Sequence, residues 1–112
     1  MEIDNITSVS QIETAISSPT VIILKHSTRC PISRGIKERF ESFAKNAGTE
    51  ISLYIIDIIS YPGLSNTFAE RTGIRHESPQ VILFRSGEPV WNESHWNITQ
   101  ESLNKAVQEF SR

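Results

Sequence analysis

The sequence predicts a single α/β domain built on a mixed β-sheet, and three observations support this fold class. Short runs of β-branched and apolar residues alternate with segments whose apolar residues recur at helical spacing. One such strand is followed by a helix and a second strand, the order that produces a parallel βαβ unit. Two strand-like runs near the C-terminus flank a glycine-containing turn, as in an antiparallel hairpin. We therefore expect residues 1–112 to form one domain with a single core.

The first half of the chain contains two predicted helices and two predicted strands. Ser8 and Gln11 form the pattern of a capping box, and the apolar residues that follow recur with helical spacing up to Pro19. The next elements are a strand from Val21 to Lys25, a helix from about Pro31 to Ala47 with Gly48 as its C-cap, and a strand from Ile51 to Ile59.

The second half adds a helix, a hairpin and a last helix. A turn at Tyr61-Pro62-Gly63 precedes a short helix that closes at Gly73. The predicted hairpin strands are Gln80 to Arg85 and Pro89 to Trp91, and Thr99 caps a helix whose buried stripe contains Leu103, Ala106, Val107 and Phe110. The order α-β-α-β-α-β-β-α gives about four strands and about four helices. This is the thioredoxin fold with an extra helix in front, and by analogy with that fold we expect a cis bond before Pro79.

Cys30 is the only cysteine, and it lies where a predicted strand meets a predicted helix. Pro31 takes the favoured first helical position, so the sulfur lies at the positive end of the helix, where a thiolate is stabilised. Ser33 is three residues further on, so it shares a face with Cys30 and can donate its hydroxyl proton to the sulfur. Arg29 and Lys25 add positive charge nearby. The alternatives are an inert, buried cysteine and a serine that satisfies a local backbone group.

Composition excludes several classes of function. The formal net charge of −2 gives no basic field for nucleic acid and no reason to expect a membrane surface. Met1 to Asn5 contains neither a cationic leader nor a long apolar stretch, which favours a cytoplasmic protein. The three histidines and Cys30 lack metal-ligand spacing, so no metal site is expected. With one cysteine no intramolecular disulfide is possible, so any disulfide partner must come from another molecule.

Four sequence blocks are specific enough to indicate a family: Lys25-His26-Ser27 leading to Cys30-Pro31-Ile32-Ser33, Leu64-Ser65-Asn66 through Gly73, His76-Glu77-Ser78-Pro79-Gln80-Val81, and Ser94-His95-Trp96 with Ile98-Thr99. These blocks resemble the monothiol bacilliredoxins, thioredoxin-like proteins of the bacillithiol system. They occur in order over most of the chain, and the Cys-Pro-Ile-Ser and Ser-Pro-Gln blocks are far more specific than an isolated C-x-x-S.

The resemblance implies an oxidoreductase that removes bacillithiol, a cysteinyl glucosaminyl malate thiol, from S-bacillithiolated client proteins. Cys30 would take the bacillithiol onto itself, and a second bacillithiol or a partner reductase would reset it. Bacillithiol would thus be a co-substrate, and no tightly bound cofactor is expected. A module that binds bacillithiol or an iron–sulfur cluster, and a Cys30 redox sensor, remain alternatives.

Other residues receive roles that depend on this fold and family. The backbone at Ser78, before Pro79, would pair with an incoming disulfide substrate, and Pro31 and Pro79 are expected to contact that substrate. Arg29 and Lys25 would bind the malate carboxylates of bacillithiol, or be ordinary solvated cations. His26 and His76 could tune the sulfur but are expected to be structural, and Trp91 and Trp96 are expected to pack in the core and hairpin.

Overall fold

The computed structural model describes residues 3–48 and 50–110, and its elements follow the predicted order with one addition at the start. Met1 and Glu2, which belong to the stretch analysed for a leader, lie outside the described residues. In chain order the elements are β1 (Ile3–Asn5), α1 (Val9–Ile16), β2 (Thr20–His26), α2 (Pro31–Asn46), β3 (Ser52–Asp57), α3 (Pro62–Thr72), β4 (Gln80–Arg85), β5 (Glu88–Ser94), a 3-10 helix (His95–Asn97) and α4 (Gln100–Phe110).

The sheet has five strands in the order β1-β3-β2-β4-β5 rather than the predicted four. β1, β3 and β2 are parallel, and β4 runs antiparallel to both β2 and β5. The prediction missed β1 because this strand has three residues, of which only Ile3 is apolar and two are exposed. A strand this short shows no alternation and exists only through its pairing with β3.

The predicted helix caps are confirmed at Ser8, at Gly73 and at Thr99, whose hydroxyl accepts from the N–H of Ser102 (2.9 Å), and the cap predicted at Gly48 is wrong. The capping box at Ser8 and Gln11 is confirmed, and Gly73 closes α3 with a φ of 72°, in the left-handed region that glycine favours. Gly48 was predicted to cap α2, but α2 ends at Asn46 with Ala47 as its C-cap in an extended conformation. The backbone of Gly48 is not left-handed, so its missing side chain is not what ends the helix.

Two strand boundaries differ from the prediction by more than one residue. β3 ends at Asp57 rather than Ile59, because the Asp57 carboxylate accepts hydrogen bonds from the N–H groups of Ile59 (3.0 Å) and Ser60 (3.4 Å) and so turns the chain. β5 extends well beyond the predicted Trp91. The hairpin between β4 and β5 turns at Ser86 and Gly87, whose φ angles of 54° and 85° are those of a type I′ turn.

Each face of the sheet is covered by two helices, and β2 is buried along its whole length. α2 and α4 pack on one face, and α1 and α3 pack on the other. The first core contains Ile22, Leu24, Ile36, Phe40, Leu53, Val81, Leu83 and Leu103, among others, and the second contains Ile12, Ile16, Val21, Ile23, Leu64, Phe68, Ile82 and Phe84. β2 is therefore a rigid central strand, and its carboxyl end leads directly into the Cys30 segment.

Candidate active site

The predicted site residues come together at one edge of the sheet. β2 and β4 are antiparallel neighbours with Lys25 opposite Gln80, so the carboxyl end of β2 and the start of β4 share this edge. The loop that carries Cys30 leaves the sheet there, and the Ser78–Pro79 segment enters it. The peptide bond before Pro79 is cis, as expected from the fold.

Cys30 is the N-cap residue of α2, directly before Pro31 at the first helical position. Its backbone is held on both sides: the Cys30 N–H donates to the carbonyl of Ser27 (3.2 Å), and the Cys30 carbonyl accepts from the N–H of Arg34 (3.3 Å). The side chain is half-buried rather than enclosed. The alternative of an inert, buried cysteine therefore does not describe this residue.

The start of α2 lowers the pKa of the Cys30 thiol. The largest cause is the backbone N–H of Ser33; partial burial opposes it, and the Ile32 N–H and the Ser33 hydroxyl add to the lowering. The sulfur makes no full capping hydrogen bond in the structure, so these donors remain oriented toward a thiolate. Neither Lys25 nor Arg29 is among the causes. The acidity of the thiol comes from the helix, not from neighbouring cations.

Ser33 satisfies a local backbone group, which is one of the two roles predicted for it. Its side chain is fully buried, and its oxygen accepts a hydrogen bond from the N–H of Ser27 (3.4 Å). The Ser33 hydroxyl is also among the groups that lower the pKa of Cys30. Because a hydroxyl both accepts and donates, the two roles are compatible, and assistance to the Cys30 thiolate stays a prediction.

Lys25 lies deeper than its predicted role requires. The side chain is 0% exposed, and Nζ lies 5.6 Å from the centre of the Phe68 ring, on the face covered by α3. Burial lowers its pKa to about 8, with Glu77 opposing the shift, and Nζ has no hydrogen-bond partner among the described residues. A substrate carboxylate cannot contact Nζ directly in this conformation, so binding by Lys25 stays a prediction.

The other predicted binding residues are arranged around the thiol. Arg29 and Pro31 are exposed on either side of Cys30. Pro79 is buried, and Ser78 precedes the first ladder residue of β4, so its backbone lies outside the sheet. The hydroxyl oxygen of Ser78 is buried without a hydrogen-bond partner in the described part of the chain. These positions suit substrate contact, which stays a prediction.

The surroundings shift the pKa values of the two histidines near the site, but neither histidine shifts the pKa of Cys30. Burial, followed by the charge of Lys37, lowers the pKa of His26, while Asp57 opposes the shift. Burial and then Lys25 lower the pKa of His76. Neither histidine contributes to the lowered pKa of Cys30, in line with the expectation that both are structural.

The packing predicted for Trp96 is wrong. Trp91 packs against the core as expected, but Trp96 is 54% exposed. The guanidinium of Arg39 lies 5.1 Å from the centre of the Trp96 ring. Trp96 lies in the 3-10 helix, whose first residue His95 has a φ of 55°, and no local pattern predicts that geometry.

The rest of the described residues can be compared with the Cys30 edge for metal-binding groups, membrane-spanning helices and cavities. Across residues 3–48 and 50–110, no three His, Cys, Asp or Glu side chains are grouped to hold a metal ion, and no helix has the length and apolar character to cross a membrane. A cavity of about 410 Å³ lies between β1, α1 and β3, and none of the predicted site residues lines it.

Comparison with known families assigns the chain directly. The family model described as "Monothiol bacilliredoxin BrxC" matches residues 1–103. The chain belongs to the monothiol bacilliredoxin family. As a bacilliredoxin with its single thiol at a helix start, it has the features of a thiol–disulfide oxidoreductase.

Solved structures confirm the thioredoxin fold of this bacilliredoxin. A thioredoxin-fold protein described as a candidate oxidoreductase is 34% identical, with a TM-score of 0.86 over 93% of this chain and 92% of that one. Thioredoxins from Malassezia sympodialis (21% identity, TM-score 0.79) and Halobacterium salinarum (17%, 0.80) each align over 99% of this chain and 92% of theirs. The last two likenesses concern the fold alone.

Proposed function

We propose that this bacilliredoxin removes bacillithiol from S-bacillithiolated proteins through a mixed disulfide on Cys30. The observation that supports the proposal most strongly is the half-buried Cys30 sulfur at the start of α2, with its pKa lowered by N–H groups of the first turn. Thiol–disulfide exchange requires an accessible thiolate, and this position supplies one.

In the first step the Cys30 thiolate attacks the bacillithiol sulfur of the mixed disulfide on the client. A new bond forms between Cys30 and bacillithiol, and the bond between bacillithiol and the client breaks. The client cysteine leaves as a thiolate and takes a proton from solvent. No net oxidation occurs, because one disulfide replaces another.

In the second step a thiol from another molecule must reset Cys30, because the chain has no second cysteine. The thiolate of a second bacillithiol attacks the bacillithiol sulfur of the adduct, which releases Cys30 as a thiolate and forms bacillithiol disulfide. The two electrons that reduced the client thus come from bacillithiol. A partner reductase with a reactive thiol would perform the same step.

The residues around the sulfur have two roles, to lower the pKa of Cys30 and to bind the two parts of the substrate. The Ser33 and Ile32 N–H groups and the Ser33 hydroxyl hold the thiolate before attack and accept it again as leaving group after reset. The Ser78 backbone, free of the sheet ladder, would pair with the client chain beside its disulfide. Exposed Arg29 would attract the malate carboxylates of bacillithiol.

The test is intact-mass analysis with a single-cysteine client protein carrying bacillithiol. We expect the client to lose bacillithiol while this chain gains one bacillithiol adduct on Cys30, and excess bacillithiol to remove that adduct. Cys30→Ser, which keeps the side-chain size, should release nothing. Release by Cys30→Ser at the wild-type rate, or wild-type protein that gains no adduct, would sink the proposal.

A further inference from the structure

We propose that the indole ring of Trp96 is a stacking platform for the glucosamine ring of bacillithiol while that thiol is attached to Cys30. This inference rests on the proposed function and deepens it, because it assigns a residue to recognition of the sugar. Three observations support it: the exposure of the ring, its rigid mounting and its position relative to the sulfur.

Trp96 is exposed yet firmly held. More than half of its surface, 54%, faces solvent, although a tryptophan gains more than most residues from burial. The Nη1 group of Arg39 donates hydrogen bonds to the carbonyls of Trp96 (3.2 Å) and Ile98 (2.8 Å), which fixes the backbone on both sides of the 3-10 helix end. An aromatic ring held in this way is pre-organised, so little conformational entropy is lost when a ligand stacks on it.

The ring lies between the two segments that define the site. The N–H of His95, the preceding residue, donates to the carbonyl of Pro79 (3.0 Å), which ties this segment to the cis-proline loop. On the other side the ring rests against α2 at Gly35, where a Cβ atom would lie 3.6 Å from two ring carbons. Trp96 therefore bridges the cis-proline loop and the helix that begins at Cys30.

The distance along α2 matches the length of the ligand. Gly35 and Arg39 are four residues apart on one helical face, and one turn earlier that face reaches Pro31, next to Cys30. Gly35 lies five positions after Cys30, a rise of about 7.5 Å along the helix axis. In bacillithiol one cysteinyl residue separates the sulfur from the sugar, a span of about 4–7 Å when extended. A ligand that lies along α2 from Cys30 thus places its sugar at the level of Trp96.

The charge beside the ring fits the rest of the ligand. The Arg39 guanidinium lies 5.1 Å from the ring centre, and its described hydrogen bonds use Nη1 alone. A guanidinium has five N–H donors, so Arg39 retains donors for a malate carboxylate attached to the stacked sugar. An apolar ring next to a cation suits a sugar that carries acid groups better than it suits an apolar protein surface.

The test compares two mixed disulfides on the same client protein, one formed with bacillithiol and one with cysteine, which lacks the sugar and the malate. For Trp96→Ala we expect the ratio of kcat/KM for the bacillithiol adduct to that for the cysteine adduct to fall about threefold to tenfold. Trp96→Phe should recover part of the ratio. Trp91→Phe, a change to a tryptophan that packs against the core, is the matched control and should leave the ratio unchanged.

Trp91→Phe also leaves Trp96 as the only tryptophan, so its fluorescence reports on the ring directly. We expect the emission to change when Cys30 is charged with bacillithiol and to change less when it is charged with cysteine. An unchanged substrate ratio in Trp96→Ala would overturn the inference. An equal fall on both substrates would also overturn it and would assign the ring to client binding. Wild-type protein that acts on the cysteine adduct but not on the bacillithiol adduct would instead refute the proposed function, and this inference with it.

Discussion

The N-termini of α1 and α2 are built differently, although both helices pack an apolar face on the sheet. At α1 the Ser8 side chain accepts from the N–H of Gln11 (3.4 Å), and the Gln11 side chain accepts from the N–H of Ser8 (3.1 Å). At α2 the N-cap is Cys30, which makes no such bond. At α1, side chains accept hydrogen bonds from the N–H groups of the first turn. At α2, the N–H groups of the first turn remain available to a sulfur anion.

A third helix shows that an open start is not enough to make a site. α3 also begins with a proline after an N-cap, Tyr61, that makes no side-chain capping bond. Tyr61 offers no nucleophile, so the donors of α3 have no thiolate to stabilise. The chemistry at α2 therefore requires both the uncapped first turn and the cysteine placed on it.

The substitution with the largest expected effect is at Lys25. It tests whether the lowered pKa of Cys30 depends on the start of α2 or on the buried Lys25 cation. Lys25→Met removes a charge that burial disfavours, so the free energy of unfolding should rise, by up to about 3 kcal/mol at pH 7, while the pKa of Cys30 stays unchanged. Denaturant unfolding measures the first quantity, and the pH dependence of iodoacetamide alkylation measures the second.

The sign follows from the two pKa values of Lys25, about 8 when folded and 10.5 as a reference. Below pH 8 both states are protonated, and the folded state carries the cost of the buried charge. Between pH 8 and 10.5 the unfolded state binds more protons, so wild-type stability rises with pH relative to Lys25→Met and the advantage of the variant disappears. Lys105→Met, at an exposed position, is the control and should change stability little. A higher Cys30 pKa in Lys25→Met would show that the cation does act on the sulfur.

The next effect tests the side-chain contribution at the start of α2. Ser33→Ala removes a hydroxyl that helps to lower the pKa of Cys30, so this pKa should rise and alkylation at pH 7 should slow. The buried N–H of Ser27 also loses its acceptor, which should lower stability by about 1–3 kcal/mol. Thiolate absorbance against pH gives the pKa, and denaturant unfolding gives the stability.

Ser65→Ala is the matched control for Ser33→Ala, because Ser65 is a buried serine near the start of the other uncapped helix, bonded to the Pro62 carbonyl (3.0 Å). It should cost stability without any change at the thiol. If Ser33→Ala lost stability but kept the wild-type Cys30 pKa, Ser33 would be structural only.

The parts of the site that follow from local rules could be predicted from the sequence. Cys30 before Pro31, the nearby Ser33, the capping box at Ser8 and the glycine cap at Gly73 each depend on a few adjacent residues. The fold also followed from element order, because the handedness of βαβ units and the antiparallel hairpin leave few topologies.

The parts that depend on tertiary packing could not be read in the same way. β1 forms because β3 offers an edge, and the exposed Trp96 lies in a 3-10 helix that no local pattern predicts. Lys25 is an intermediate case. Strand alternation places Lys25 on the same face of β2 as Val21 and Ile23. The burial of that face follows only from the central position of β2 in the sheet, which the local sequence does not show.

The smallest effect completes the comparison from the α1 side. Ser8→Ala removes the acceptor for the Gln11 N–H at an exposed helix start, so the protein should lose about 1 kcal/mol of stability. The Cys30 pKa and the rate of bacillithiol transfer should stay at their wild-type values, because α1 packs on the face of the sheet opposite α2. Thr99→Ala, which removes the acceptor for the Ser102 N–H at the start of α4, should likewise lose about 1 kcal/mol of stability. The N–H groups of a helix start would then serve two independent purposes: they bind a capping side chain at α1 and stabilise a thiolate at α2. A changed thiol pKa in Ser8→Ala would instead mean that the two helix starts are coupled through the sheet.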